Sequence, residues 1–396
     1  MITLDPAARA EVNADSGGFD VRGADGTSYR VDIDSDVLSP ANQKLAGYFG
    51  DRRVLAFVGP NVDRLYGRRL RAYLDARLPP DSWSVHRIPA GEKHKTLATV
   101  EEICATAKAM RLDRQGVMLA VGGGITADLV GFAASMYARG VDYVKVNTTL
   151  VGQVDVGVGI KTGVNAYGAK NMLGTYHPAL GSLNDPGFLR TLPDRDVRCG
   201  LGEIVKMAVI KDRALFDLLA AHPTVFRDVT PDPHLEDRVL RTAMELMLVE
   251  LCGNLRERSL ARLVDFGHTF GPVIEVASGH RVAHGESVAI DMAISSHVAR
   301  LLGILDPASC RRVVDLLRVL GLPVFDPETC TPDLMLAALH SAWERRGRHV
   351  HLVVPDSVGS AVFVDDLKAL PESLLTAALD ALAADAGNRP MTGVVI

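Results

Sequence analysis

Two imidazoles and one carboxylate in the second half of the chain are the residues best suited to chemistry. Glu203 lies in Gly202-Glu203-Ile204-Val205-Lys206, His268 in Asp265-Phe266-Gly267-His268-Thr269-Phe270-Gly271-Pro272, and His284 in His284-Gly285-Glu286. Together they make a donor set that suits Zn2+ or a similar divalent ion such as Co2+, with coordination positions left over for substrate oxygens. An open-sided ion of this kind polarises a hydroxyl that is being oxidised. Lys206, three residues after Glu203, projects from the same helical face and adds a cation suited to oxyanions. The chain has 12 histidines, so each of these residues taken alone also fits a packing or surface role.

Three further segments carry polar groups at telling places. Gly122-Gly123-Gly124 follows an apolar run and precedes an expected helix that includes Asp128. Glycines there let the backbone approach a phosphate, and the helix start offers free N–H groups to it. The spacing is not that of the Rossmann fingerprint, and a tight turn without a ligand is the competing reading. Gly91-Glu92-Lys93-His94-Lys95-Thr96 offers a carboxylate for ribose hydroxyls and a lysine for a phosphate or ring edge, or is a plain solvated loop. Between 147 and 171 come Asn147, Thr148, Thr149, Gln153, Asp155, Lys161, Asn165, Lys170 and Asn171. That inventory of donors and acceptors matches a phosphate and several hydroxyls, although a loop with glycine turns would also accommodate it.

Elements to position these groups are legible in the apolar pattern. Strands are expected at 53–58, 85–88, 116–121 and 141–146, with helices at 62–78 and 97–110 between them. Continuous apolar strands alternating with helices indicate a doubly wound α/β domain, covered on both faces. After about Asp185 the pattern becomes helical, at 201–210, 215–221, 235–254, 271–277, 286–302, 313–320 and 374–384, with one late strand at 351–354. The expected fold class is therefore α/β, with an N-terminal α/β domain over 1–190 and a mainly helical metal- and substrate-binding domain over 191–396. The last residues, 386–396, are expected to be loosely held.

Bulk properties narrow the function. The chain has 396 residues, 47% of them apolar, which is ample for two cores. A net charge of −5 argues against a nucleic-acid or membrane-surface binder. No apolar run is long enough to span a bilayer, and the first 15 residues do not read as a secretory signal. The five cysteines are odd in number and without a Cys-x-x-Cys pair, which fits a reducing cytoplasm.

Taken together, the segments resemble the sugar-phosphate cyclases, the superfamily of dehydroquinate synthase, from about Arg53 to Val354. The motifs are Gly122-Gly123-Gly124 with Asp128, Tyr137-Ala138-Arg139-Gly140, Thr148-Thr149, Asp155 with Lys161, Gly168-Ala169-Lys170-Asn171, Glu203 with Lys206, and the two histidine motifs. The resemblance implies an NAD-binding α/β domain, a helical metal domain and a homodimer. It implies Glu203, His268 and His284 as metal ligands. Glu92, Lys95, Gly122, Gly123, Gly124, Asp128, Thr148, Thr149 and Lys170 would line the NAD site. Asp155, Lys161, Asn171, Lys206 and Asp265 would serve the substrate and its chemistry, and Arg139 would reach a phosphate across the dimer interface. The acidic residue common in the family after the first strand of the NAD domain has no clean match at Gly59-Pro60-Asn61.

Departures from dehydroquinate synthases point to the substrate. Those enzymes place Asn before the Phe-Gly-His motif and a second His after it, where this chain has Asp265 and Pro272. They also carry an upstream Lys and Arg for a substrate carboxylate, where this chain has Met247 and Ala261, with Arg262 adjacent. A carboxylate without cationic partners is unfavourable in a buried site, so the pattern resembles the sedoheptulose 7-phosphate cyclases, with the glucose 6-phosphate cyclases as a sibling. The resemblance implies transient oxidation, β-elimination of phosphate, return of the hydride, ring opening and intramolecular aldol closure. A metal-dependent alcohol dehydrogenase is the rival enzyme, and a non-catalytic sugar-phosphate sensor the rival of another class. The lysines and the complete ligand set speak against both.

Overall fold

The computed structural model describes residues 10–228 and 230–387. Most of the tail expected to be loose thus lies outside the described residues. The chain forms two compact units, Met1–Gly200 with Thr230–Arg258, and Leu201–Val229 with Ser259–Ile396.

The first unit is built on an eight-stranded sheet of order β1-β2-β3-β10-β7-β6-β4-β5. Its strands are β1 (Glu11–Asp15), β2 (Gly18–Arg22), β3 (Ser28–Ile33), β4 (Val54–Val58), β5 (Trp83–Arg87), β6 (Val117–Gly122), β7 (Asp142–Asn147) and β10 (Gly181–Asn184). From β3 to β5 the pairings are parallel, whereas β1, β2 and β3 form an antiparallel meander. The helices are α1 (Lys44–Gly47), α2 (Pro60–Arg77), α3 (Leu97–Ala109) and α4 (Gly124–Met136).

Strand periodicity explains why the runs are apolar throughout. Successive side chains of a strand face opposite sides. Val54, Ala56 and Val58 of β4 enter one core with Leu70 and Leu74 of α2. Leu55 and Phe57 enter the other, with Ile103 of α3 and Leu129 and Ala133 of α4. Both faces are dry, so no polar alternation survives. This is the doubly wound arrangement expected.

A hairpin of β8 (Lys161–Ala166) and β9 (Ala169–Tyr176) also belongs to this unit, where the sequence suggested only a polar segment. Ala166 pairs with Ala169, which leaves Tyr167 and Gly168 as a two-residue turn, both at positive φ (53° and 74°), as a type I′ hairpin requires. Helix α7 (Pro233–Cys252) packs against β1 and β2 of this unit. The division thus differs from a single break near residue 190.

In the second unit, α5 (Asp194–Lys211, in this unit from Leu201), α6 (Arg213–Ala221), α8 (Gly271–Ala277), α10 (Pro307–Val319), α11 (Pro332–Arg345) and α12 (Glu372–Gly387) accompany the hairpin β11 (Leu352–Ser357) and β12 (Ser360–Val364). At its centre runs α9 (His284–Leu301), contacted by α8, α10, α12 and β11 and buried continuously from Ser287 to Ala299. A helix apolar on only one stripe could not occupy that place. Several starts are written as a capping residue followed by proline: Asp232-Pro233, Asp306-Pro307 and Thr331-Pro332, each with a side-chain oxygen accepting from the first turn. That signal places the start of α10 six residues before the expected 313, and marks α11, which the apolar pattern did not reveal.

One interior charge has a measurable consequence. Lys145 of β7 is 2% exposed, and its ammonium donates to the carbonyls of Val156 (3.0 Å) and Gly159 (2.8 Å). Burial pushes this amine down to about 8, with Asp128 and Asp155 opposing. A neutral amine still has two N–H groups for the two carbonyls. Between pH 8 and 10.5 the unfolded chain therefore holds a proton that the folded chain releases, and stability rises with pH. Urea unfolding of wild type and Lys145→Met at pH 7.5 and 10 should show wild type gaining on the variant at the higher pH. A pH-independent difference would contradict a depressed lysine.

Candidate metal centre and dinucleotide loops

Helices α5 and α9 approach each other at two glycines. A Cβ on Gly202 would lie 2.8 Å from the carbonyl oxygen of Gly285. Only hydrogen fits there, and the close approach brings the next residue on one helix, Glu203, beside the first residue of the other, His284. His268 arrives from the turn before α8. The three donor atoms all lie within 4.8 Å of one another. Glu203 Oε1 is 3.2 Å from His284 Nε2 and 3.8 Å from His268 Nε2.

For His268 the neighbouring groups decide which imidazole nitrogen carries hydrogen. His268 Nδ1 is 3.0 Å from the Phe266 carbonyl, which can only accept. His284 Nδ1 is 3.3 Å from a carboxylate oxygen of Glu275. Nδ1 of His268 therefore donates and its Nε2 presents a lone pair, whereas His284 lies between two carboxylates and would turn its Nε2 lone pair to an ion with Nδ1 donating to Glu275. Burial, assisted by the Lys206 ammonium, pushes His268 down to about 4, so the ring is neutral near pH 7. Two imidazole Nε2 atoms and a carboxylate oxygen converge, a donor set that a divalent cation satisfies.

The set also has an open side. Glu203 is fully buried, while the side chains of His268 and His284 keep 24% and 33% of their exposure. Glu203 stays charged: burial opposes this, but Lys206 and the two imidazoles together hold its carboxyl well below the usual range. Lys206 Nζ lies 2.6 Å from Glu203 Oε2, as their spacing on one helical face implied, and is itself 1% exposed. Asp265, three residues before His268, is buried between Arg262 (2.6 Å) and Arg346 (3.1 Å).

In the first unit the glycine loop and the threonine pair come together at the carboxyl ends of β6 and β7. Gly123 is the residue before α4, and a Cβ there would meet Thr149 at 2.8 Å. Thr148 N donates to the Gly122 carbonyl at 2.8 Å, and Thr149 Oγ1 accepts from Gly152 N at 3.0 Å. Ends of parallel strands beside a helix start suit a phosphate. Nearby, Lys95 binds Asp128 (2.5 Å) and Asn171 (2.6 Å). Glu92 receives Asn165 (2.8 Å) and lies 3.6 Å from Lys170. The hairpin β8–β9 thus joins residues far apart in sequence. Asp155 sits on the short turn 152–156, which Gln153 anchors through the carbonyls of Asn147 (3.2 Å) and Asp185 (2.9 Å). Lys161 pairs with Glu257 at 2.8 Å. Arg139 is exposed, at φ 69° after Ala138 at φ 52°.

Sequence reasoning missed Glu275, Glu257 and Lys145. Glu275 had a visible signal, one acid inside the apolar run Val273-Ile274-Glu275-Val276-Ala277. Lys145 read only as part of a strand.

A paired, buried charge yields a prediction. Lys206→Met leaves Glu203 uncompensated and should cost about 3–5 kcal/mol in chelator. The loss should be smaller with zinc, which replaces the missing positive charge. Chemical denaturation with and without zinc checks this, and an equal loss in both would remove the ion from Glu203.

The 3-dehydroquinate synthase N-terminal family model matches residues 85–199, and the C-terminal one residues 200–341. A 2-epi-5-epi-valiolone synthase of Streptomyces glaucescens is 67% identical over 372 residues, covering 94% of this chain and 96% of that protein. The structure of ValA, the 2-epi-5-epi-valiolone synthase of Streptomyces hygroscopicus subsp. jinggangensis 5008 with NAD+ and Zn2+ bound, matches with a TM-score of 0.85 and 43% identity over 91% of this chain and 98% of that one. A 2-deoxy-scyllo-inosose synthase complexed with carbaglucose-6-phosphate, NAD+ and Co2+ shares the fold, with a TM-score of 0.74 and 22% identity over 92% and 99% of the two chains. On the matched family models and the extent of the identity, the chain belongs to the 3-dehydroquinate synthase family of sugar-phosphate cyclases.

Proposed function

We propose that this chain is a sedoheptulose 7-phosphate cyclase that forms 2-epi-5-epi-valiolone, with NAD and a divalent ion, zinc or cobalt, as resident cofactors. The reaction removes one phosphate and closes the carbon chain into a ring, with no net oxidation. The observation that carries the choice of substrate is Asp265. Its buried carboxylate draws both Arg262 and Arg346 into ion pairs. A substrate carboxylate there would meet a like charge and guanidinia already engaged, which disfavours the seven-carbon acid phosphate of dehydroquinate synthases. The similarity to 2-epi-5-epi-valiolone synthases supports the same reading.

When bound, NAD supplies a reversible hydride acceptor and the ion supplies polarisation of a substrate hydroxyl. Glu203, His268 and His284 would hold the ion. Gly122, Gly123, Gly124, Thr148 and Thr149 would hold the pyrophosphate, with Glu92, Lys95, Asp128 and Lys170 around the cofactor. Lys161 and Lys206 would stabilise negative charge that develops during elimination and aldol closure. Asp155 and Asn171 would orient hydroxyls, and Asp265 would shape the substrate end.

We assign the functional division as a cofactor-binding α/β part and a metal- and substrate-binding helical part, as expected from the sequence. Among the described residues no helix is long and apolar enough to cross a membrane. With five free cysteines, a cytoplasmic location is the proposed one. A homodimer in which exposed Arg139 serves the partner's phosphate is the proposed assembly.

The test is phosphate release by the zinc-loaded protein with NAD+. Sedoheptulose 7-phosphate, glucose 6-phosphate and the seven-carbon 2-keto-3-deoxy acid phosphate are compared. Release from the first alone, with flat NADH absorbance, is expected. Release from the acid would overturn the reading of Asp265, and stoichiometric NADH would indicate an alcohol dehydrogenase.

A further inference from the structure

Helix α9 carries more of the metal centre than His284. Asp291 lies seven residues on, two turns along the same stripe, and is fully buried. Its Oδ2 accepts three consecutive backbone N–H groups, from Thr269 (2.8 Å), Phe270 (2.6 Å) and Gly271 (2.9 Å). Its Oδ1 accepts from Ser295 Oγ at 2.8 Å. Those three amides belong to the residues immediately after His268. Thr269 is 3% exposed and Phe270 fully buried, so without the carboxylate the amides would face no water.

The turn is also pressed onto α9 by glycines. Gly267 has φ 79°, and a Cβ there would lie 2.7 Å from Val288 Cγ1. A Cβ on Gly271 would lie 3.2 Å from the Ser287 carbonyl oxygen. The backbone on both sides of His268 is therefore laid against residues 287–292 of the helix whose first residue is His284. Burial pushes the Asp291 carboxyl up to about 6, with the amides and Ser295 pulling the other way.

We infer that Asp291 is a positioning residue of the metal centre: by clamping residues 269–271 to α9 it fixes His268 Nε2 relative to His284 Nε2, so that one helix sets the spacing of both imidazoles. The inference rests on Glu203, His268 and His284 as the metal ligands. Outer groups that orient a ligand typically change metal affinity by about 10–100-fold when removed. A role limited to folding would lower stability and leave affinity and coordination geometry of the folded protein unchanged.

The experiment is Co2+ titration of metal-stripped protein, followed by its visible absorption bands, for wild type, Asp291→Ala, Asp291→Asn and His268→Ala. Circular dichroism reports folding. The expected result is at least tenfold weaker Co2+ binding and altered bands in Asp291→Ala. Asp291→Asn, whose amide oxygen is a weaker acceptor without charge, should fall between it and wild type. Wild-type affinity and bands in folded Asp291→Ala would overturn the inference. Should that variant not fold, wild-type affinity and bands in Asp291→Asn would do so. If wild type binds Co2+ no better than His268→Ala, the ligand assignment itself fails. If wild type binds, His268→Ala does not, and Asp291→Ala matches wild type, only the role of Asp291 fails.

Discussion

A carboxylate removed from water must find positive charge or strong donors, and Glu203 is fully buried. One of its oxygens has the Lys206 ammonium. The other faces Nε2 of His268, which the Phe266 carbonyl turns into an acceptor, and Nε2 of His284. Electron-rich atoms converge because the backbone lets them: Gly202 and Gly285 permit the helix contact, and the Gly267 turn lays His268 on α9. Burying such a group has a cost in stability, which a bound cation would offset. Much of the second unit is the scaffold of that one arrangement.

The first unit solves a different problem with the opposite material. Its central strands β4 and β6 are apolar on both faces, and polar groups gather at strand ends and on the β8–β9 hairpin. There they form a connected set, Lys95 with Asp128 and Asn171, and Glu92 with Asn165 and Lys170. Mutual pairing holds these side chains in place, a form of preorganisation that lowers the entropy lost when a ligand is bound.

Much of this was legible in the sequence, for identifiable reasons. Strands β4 and β6 are continuous apolar runs, and they and β7 were placed within a residue or two. Glu203, His268 and His284 stood out by chemistry and by their motifs, and the structure brings them together. Strands β2 and β3 instead alternate apolar with polar residues, as in Tyr29, Val31 and Ile33, and this shorter signal was not read as strands. The β8–β9 hairpin was hidden because Lys161, Thr162, Gly163, Val164 and Asn165 lack alternation of apolar and polar residues, and because Tyr167-Gly168 is not a strong turn pair. The Thr331-Pro332 cap announced α11, but its apolar stripe alone did not. Lys145, Glu275 and Asp291 act through partners distant in sequence, and spacing cannot show such contacts.

Glu203, His268 and His284 are proposed to hold one divalent ion. Crystals of the zinc-loaded protein, measured on both sides of the zinc absorption edge, test it directly. One strong anomalous peak per chain is expected, at about 2.0–2.2 Å from Glu203 Oε1 and from Nε2 of both histidines. A zinc-loaded crystal with its peak elsewhere, or with Glu203 turned wholly to Lys206 and absent from the coordination sphere, would contradict it.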